Sequence, residues 1–249
     1  MWTRDALLSE AQPWNGELWR TVESQAKIST MRLTDTLDEQ ELLERILERS
    51  KPNYPPEFVG FHYLLYTPFR YAPYPHGSRF RRAEQRDGAF YCSENPSTAI
   101  AETSFYRLLF FVESPDTELP ASPLEHTAFS VACAADRCVS LFAPPLNKDE
   151  QSWRHPTDYA QCQDLADIAR GADIQAIRYL SVRDPAGGTN CALLSGTAFA
   201  ARNPQHLQTW HIFPGTVSVR AWCESPSGSL EFRIDEFSND PRIRALIGH

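Results

Sequence analysis

The chain has 249 residues, 42% of them hydrophobic, enough for a sizeable core in one large domain or two small ones. With 24 Lys+Arg against 32 Asp+Glu, the formal net charge of −8 argues against non-specific nucleic-acid binding, which rests on neutralising phosphates. No apolar run approaches the roughly 18 residues of a spanning helix. The N-terminus has no basic region ahead of a continuous apolar stretch, so a cytoplasmic chain without membrane association is expected.

In chain order, residues 1–50 read as a polar helical extension. Thr36 and Glu39 fit a capping box, and Leu42, Leu43, Ile46 and Leu47 follow at helical spacing until Pro52, Pro55 and Pro56 stop the helix. Residues 58–66, aromatic and apolar, read as a strand, and the Pro- and Tyr-rich stretch behind them as an ordered loop. Residues 89–92 read as a short strand, followed by a helix that Asn95 caps and Pro96 opens. Strands are expected at 128–133 and 138–141, a helix from 157 to 170 stopped by Gly171, and strands at 176–180 and 191–194. Segments 209–212 and 216–222 flank Phe213-Pro214-Gly215 as a hairpin, and 230–234 closes the series. Hairpins mixed with a few helices give an α+β fold with a mixed sheet, divided into an N-terminal helical extension (1–56) and a main domain (57–249).

Cys92, Cys133, Cys138, Cys162, Cys191 and Cys223 contain no C-x-x-C pair and read as buried free thiols. The histidines are scattered, and no metal site is expected.

Three segments place reactive groups where strands meet loops or helices. The first is Gly77-Ser78-Arg79-Phe80. The second is Tyr91 with Glu102 on the following helix. The third is Ser181-x-Arg183, with Gly187-Gly188-Thr189-Asn190 behind it. Ala99, Ile100, Ala101 and Phe105 surround Glu102, and a carboxylate partly buried on such a helix needs a partner or a task.

Taken together, GSRF, GAFY, TAIAE and YLSVRDPAGGTN resemble the RES domain over roughly residues 58–200, with all four segments in the family's order. The match departs after Phe80, where Arg81-Arg82 stand in place of the usual Asn and Gly, and in a longer interval between Arg79 and Tyr91. The resemblance implies a toxin of a bacterial toxin–antitoxin pair, with a core similar to ADP-ribosyltransferase toxins. Its substrate would be NAD⁺, cleaved at the nicotinamide–ribose bond without a metal. Its partner would be an Xre-like helix-turn-helix antitoxin, and a homodimer within that assembly is compatible with it. The antitoxin is expected near Arg79 and the cluster Arg81, Arg82 and Arg86.

In that reading Arg79 binds the pyrophosphate or a ribose oxygen, with Arg70 as second choice, because guanidinium suits bidentate phosphate contact. Tyr91 stacks on nicotinamide and orients it. Glu102 stabilises the oxocarbenium-like ribose. Ser181 hydrogen-bonds the ribose or the carboxamide, Asn190 lies in the same ligand-binding set, and no Ser/His/Asp constellation supports Ser181 as a nucleophile. Water, phosphate or a protein side chain remains open as acceptor. The reading from another class is a non-catalytic acidic interaction protein.

Overall fold

The structure is a computed structural model that describes residues 2–24, 33–71 and 73–247. Helix α1 (Arg4–Glu10) leads into strand β1 (Gln12–Glu23), and α2 (Leu37–Ser50) and α3 (Tyr63–Arg70) follow. Strand β2 (Phe90–Ser93), helix α4 (Pro96–Glu113) and the long strand β3 (Leu124–Ser140) come next. Helices α5 (Glu150–Trp153) and α6 (Ala160–Gly171) precede β4 (Ala176–Leu180) and β5 (Thr189–Leu193). Strands β6 (Leu207–Pro214), β7 (Ser218–Cys223) and β8 (Gly228–Arg233) lead to α7 (Pro241–Ile247).

The strands form one mixed sheet in the order β1-β2-β5-β4-β3-β6-β7-β8, as the α+β reading expects. Strand β1 also pairs with β3, so the first five strands close on themselves and β6–β8 extend from β3 as an antiparallel wing. Closure removes two free strand edges. The length of β3 makes this possible: it pairs with β6 from Leu124 to Phe129, with β1 from His126 to Cys138, and in parallel with β4 from Cys138 to Ser140.

Three expectations change. Residues 12–23, read as part of a helical extension, are a strand of the central sheet. Trp14, Gly16 and Leu18 alternate with the exposed Asn15 and Glu17, and this period of two prevails over the helical character on either side. Residues 58–66, read as a strand, are a short 3₁₀ turn followed by the start of α3. Their aromatic content suits strands, but Leu65, Pro68 and Phe69 recur at helical spacing, and His62 caps the helix by accepting from the Leu64 amide at 3.3 Å. The two strands expected at 128–133 and 138–141 are one, β3.

Elsewhere the local signals hold. The capping box is formed: Thr36 Oγ1 accepts from the Glu39 amide at 3.2 Å and Glu39 Oε2 from the Thr36 amide at 3.2 Å. Asn95 is the N-cap residue of α4, with Pro96 in the first turn, although the Asn95 side chain makes no capping hydrogen bond. All six cysteines are free and buried. Residues 25–32 of the expected extension lie outside the described residues, among which no helix is long and apolar enough to cross a membrane.

Leu18 on β1 is fully buried with Phe58, Phe90 and Phe129, whereas Leu42 on α2 is 51% exposed. In urea unfolding, Leu18→Ala is expected to lower stability by about 2–5 kcal/mol. Leu42→Ala should stay within about 0.5 kcal/mol of the parent.

Candidate active site

Strands β4, β5 and β2 are neighbours, and the end of β4, the start of β5 and the end of β2 lie together, with Asn190 opposite both Tyr179 and Ser93. Period-two alternation on β2 places Phe90 and Cys92 in the core and turns Tyr91 and Ser93 the other way. Helix α4 crosses this end of the sheet and brings Glu102 over it.

Glu102 Oε1 accepts two hydrogen bonds, from Ser181 Oγ at 2.7 Å and from Asn190 Nδ2 at 2.6 Å. Asn190 is oriented from behind, since Ser93 Oγ donates to its Oδ1 at 2.7 Å and so turns the amide nitrogen toward Glu102. The Ser181 hydroxyl has one proton and two lone pairs, and all three are engaged: besides the bond to Glu102 it accepts from the amides of Arg183 (3.1 Å) and Asp184 (2.9 Å). Neither bond reaches Glu102 Oε2. The carboxylate is half-buried while Ser181 and Asn190 are buried, so two rigid neutral donors fix one oxygen, and among the described residues no hydrogen bond reaches the other.

The loop between β4 and β5 is held as a unit. Asp184 Oδ2 accepts from Thr98 Oγ1 on α4 at 2.8 Å and from the Gly188 amide at 3.1 Å, and the Ser181 amide donates to Gly188 O at 2.8 Å. Glycine is required here: Gly187 has φ +73°, and a Cβ on Gly188 would lie 2.0 Å from Thr98 Oγ1.

A cavity of about 750 Å³ opens beside this centre. Arg79, Tyr91, Glu102 and Asn190 all line it, and Ser181 stands behind Glu102. Arg79 and Phe80 occupy a tight turn closed by Ser78 and Arg81, whose amides and carbonyls pair at 2.7 and 3.2 Å. The Tyr91 hydroxyl holds that turn, accepting from the Phe80 amide at 2.9 Å and sharing a hydrogen bond with Ser78 Oγ at 2.8 Å. Burial raises the Tyr91 phenol above its ordinary pKa, so it is neutral at physiological pH. Arg79 is 9% exposed, donates through Nη1 to Trp153 O at 2.6 Å and stacks 4.6 Å above the Tyr159 ring.

Arg70 is placed elsewhere. Its guanidinium donates to Pro52 O at 2.5 Å, pairs with Glu48 at 2.8 Å and does not line the cavity. Arg81, Arg82 and Arg86 do not line it either; Arg82 is bound to Asp164 and Asp167 on α6.

Sequence reasoning missed Arg20, Tyr106, Tyr159 and Arg242, which also line the cavity, and gave Arg183 no role. Five arginines reach this space, and three are neutralised: Arg107 pairs with Glu23 at 2.5 Å, while Arg183 and Arg242 share Asp240 at 2.9 and 2.8 Å. Among the described residues, Arg20 and Arg79 have no carboxylate partner. Arg20 donates to Tyr91 O at 2.7 Å and lies 4.9 Å from the Phe90 ring. Desolvation lowers its pKa from the usual guanidinium value, a cost that an anion would relieve. Arg20 escaped notice because β1 was expected to be helical. Ser93 could have been found from alternation alone, two residues beyond Tyr91.

The fold and site define an α+β domain in which a helix carboxylate, held by a strand-end serine and asparagine, lines a cavity with two guanidinium groups that have no carboxylate partner among the described residues. The RES domain family matches residues 54–213, and the chain belongs to it. No curated protein matches the chain. Among solved structures it is similar to one described as the crystal structure of the M. tuberculosis MbcT–MbcA toxin–antitoxin complex. Sequence identity is 12%, the TM-score is 0.49, and the alignment covers 85% of this chain and 90% of that one.

Gly188→Ala is expected to drive the Thr98–Asp184 latch apart and lower stability by about 1–3 kcal/mol, while Ala186→Gly, in the exposed part of the same loop, should cost far less. Urea denaturation of the two variants beside the parent measures the difference.

Proposed function

We propose that the chain is an NAD⁺-degrading toxin of a bacterial toxin–antitoxin pair, the activity that membership of the RES domain family implies, and that it cleaves the nicotinamide–ribose bond. The observation that carries the reading is Glu102: one oxygen is pinned by Ser181 and Asn190, and the other has no hydrogen bond among the described residues, beside the cavity that Arg20 and Arg79 line. NAD⁺ presents a pyrophosphate and, a few bonds away, a ribose that gains positive charge as nicotinamide departs. A cavity with unpaired guanidinium groups and a fixed carboxylate is complementary to both.

In this reading Arg79 and Arg20 hold the pyrophosphate. The Tyr91 ring forms one wall, while its hydroxyl sets the turn that carries Arg79. Glu102 stabilises the oxocarbenium-like ribose and orients the attacking acceptor. Ser181 and Asn190 act as positioning residues through Glu102. With its proton on Glu102 and both lone pairs engaged by amides, the Ser181 hydroxyl is poorly prepared to attack a sugar. The acceptor is water or phosphate, the partner an Xre-like helix-turn-helix antitoxin, and the place of action the cytoplasm.

Brief induction of the chain should deplete cellular NAD⁺, and Glu102→Gln should slow depletion by about a hundredfold or more while the protein remains folded. Arg79→Ala should raise KM roughly ten- to a hundredfold. Mass spectrometry with and without phosphate separates ADP-ribose from its phosphorylated counterpart. Growth arrest at constant NAD⁺ would transfer the reading to ADP-ribosylation of a specific protein. Normal growth at constant NAD⁺ would leave a non-catalytic interaction protein.

A further inference from the structure

Helix α4 presents a stripe of side chains to the cavity. Glu102, Tyr106 and Phe110 follow one another at intervals of four residues, and all three line the space. At a rise of about 1.5 Å per residue, Phe110 stands about 12 Å along the axis from Glu102. Val22 and Glu23 of β1 line the cavity as well. Arg107 ties the helix to them, pairing with Glu23 at 2.5 Å and donating to His126 Nε2 at 3.2 Å.

The two rings are open to a ligand. Tyr106 is 52% exposed and Phe110 49%, and both border the cavity. The helix does not need them to seat itself, because Ile100, Phe105, Leu108 and Leu109 are buried on its other side. Half-exposed aromatic rings keep apolar surface in water, and a flat apolar group laid on them would remove it. The charge nearby indicates what kind of group. Glu23 compensates Arg107, so this end of the cavity suits an uncharged planar ring better than a second phosphate.

NAD⁺ carries such a ring. Its adenine is separated from the reacting ribose by the pyrophosphate and a second ribose, a span comparable with the distance from Glu102 to Phe110. Resting on the NAD⁺ reading, we propose that Tyr106 and Phe110 form the adenine subsite. The base stacks on the Phe110 ring, and Tyr106 lines the path between it and Glu102. Stacking uses the π-face that every base has, so this subsite senses the presence of a base more than its identity. Neither residue belongs to GSRF, GAFY, TAIAE or YLSVRDPAGGTN.

The test uses the full chain with NAD⁺ and with nicotinamide mononucleotide, which has the scissile bond but no adenosine. Phe110→Ala should raise KM for NAD⁺ roughly ten- to a hundredfold, with KM for the mononucleotide and the melting temperature unchanged. If the wild type does not turn the mononucleotide over, its inhibition of NAD⁺ cleavage is read in place of its KM. Phe110→Tyr keeps a ring and should stay close to the parent, whereas Phe110→Leu, apolar but without a ring, should follow Phe110→Ala. An unchanged KM for NAD⁺ in Phe110→Ala, or an equal loss for both ligands, would overturn the proposal. An unchanged KM with weaker neutralisation by the antitoxin would overturn it too, and would give the stripe to the protein partner. A wild-type chain that neither binds nor cleaves NAD⁺ would remove the functional reading and this inference together. A wild type that cleaves NAD⁺ with the KM of Phe110→Ala would remove this inference alone.

Discussion

Glu102 is carried by helix α4, while the two groups that fix it, Ser181 and Asn190, belong to the sheet. A half-buried carboxylate among apolar helix neighbours must find donors, and here they are neutral, rigid and confined to one oxygen. A partner arginine would have satisfied the charge equally well and consumed its capacity to stabilise a cation. The interaction therefore seats the helix on the sheet and, on the proposed reading, keeps a carboxylate oxygen for the ligand. The Thr98–Asp184 hydrogen bond makes the same helix-to-loop connection more than a turn earlier, so α4 and the β4–β5 loop hold each other at two points.

The strand arrangement makes that coupling stiff. Asn190 lies opposite Ser93 on β2 and Tyr179 on β4, and β2 and β4 belong to a group of five strands closed by the β1–β3 pairing. Sliding any one strand would shift the Asn190 amide relative to Glu102 and reverse the faces of its side chains. The same closure carries Arg20 to the cavity, where it donates to the Tyr91 carbonyl. Tyr91 then links strand to turn, its hydroxyl holding Ser78 and Phe80 and so setting the backbone on which Arg79 rides. A single chain of contacts thus runs from β1 through β2 to the Arg79 turn.

The sequence revealed those parts of this arrangement whose signals are local. The capping box at Thr36, the Asn95-Pro96 start of α4 and strand β4 follow from residue types acting within a few positions. The grouping of Arg79, Tyr91, Glu102, Ser181 and Asn190 came from four motifs in a family's order, and four of these side chains line one cavity with Ser181 immediately behind it. Long-range determinants were hidden. Strand β1 is defined by pairing with residues more than a hundred positions away, and its weak alternation was overshadowed by the helices around it. Arg70 resembled a pocket residue because it follows an aromatic run, yet Glu48 and the Pro52 carbonyl claim it in three dimensions. Ser181 was expected to touch a ligand, and only the geometry reveals that all of its hydrogen-bonding capacity is engaged within the protein.

Charge gives the last step. A chain of net charge −8 directs five arginines to one cavity and then neutralises three of them with Glu23, Asp240 and Glu113. Full neutralisation would have produced a stable but indifferent cleft, and none would have left a strongly repulsive one. The partial pattern leaves the cavity cationic at Arg20 and Arg79 and compensated at Arg183 and Arg242. On the NAD⁺ reading, Arg20 and Arg79 draw the pyrophosphate to one side of the cavity, while the Glu102 carboxylate meets the sugar that gains positive charge on the other.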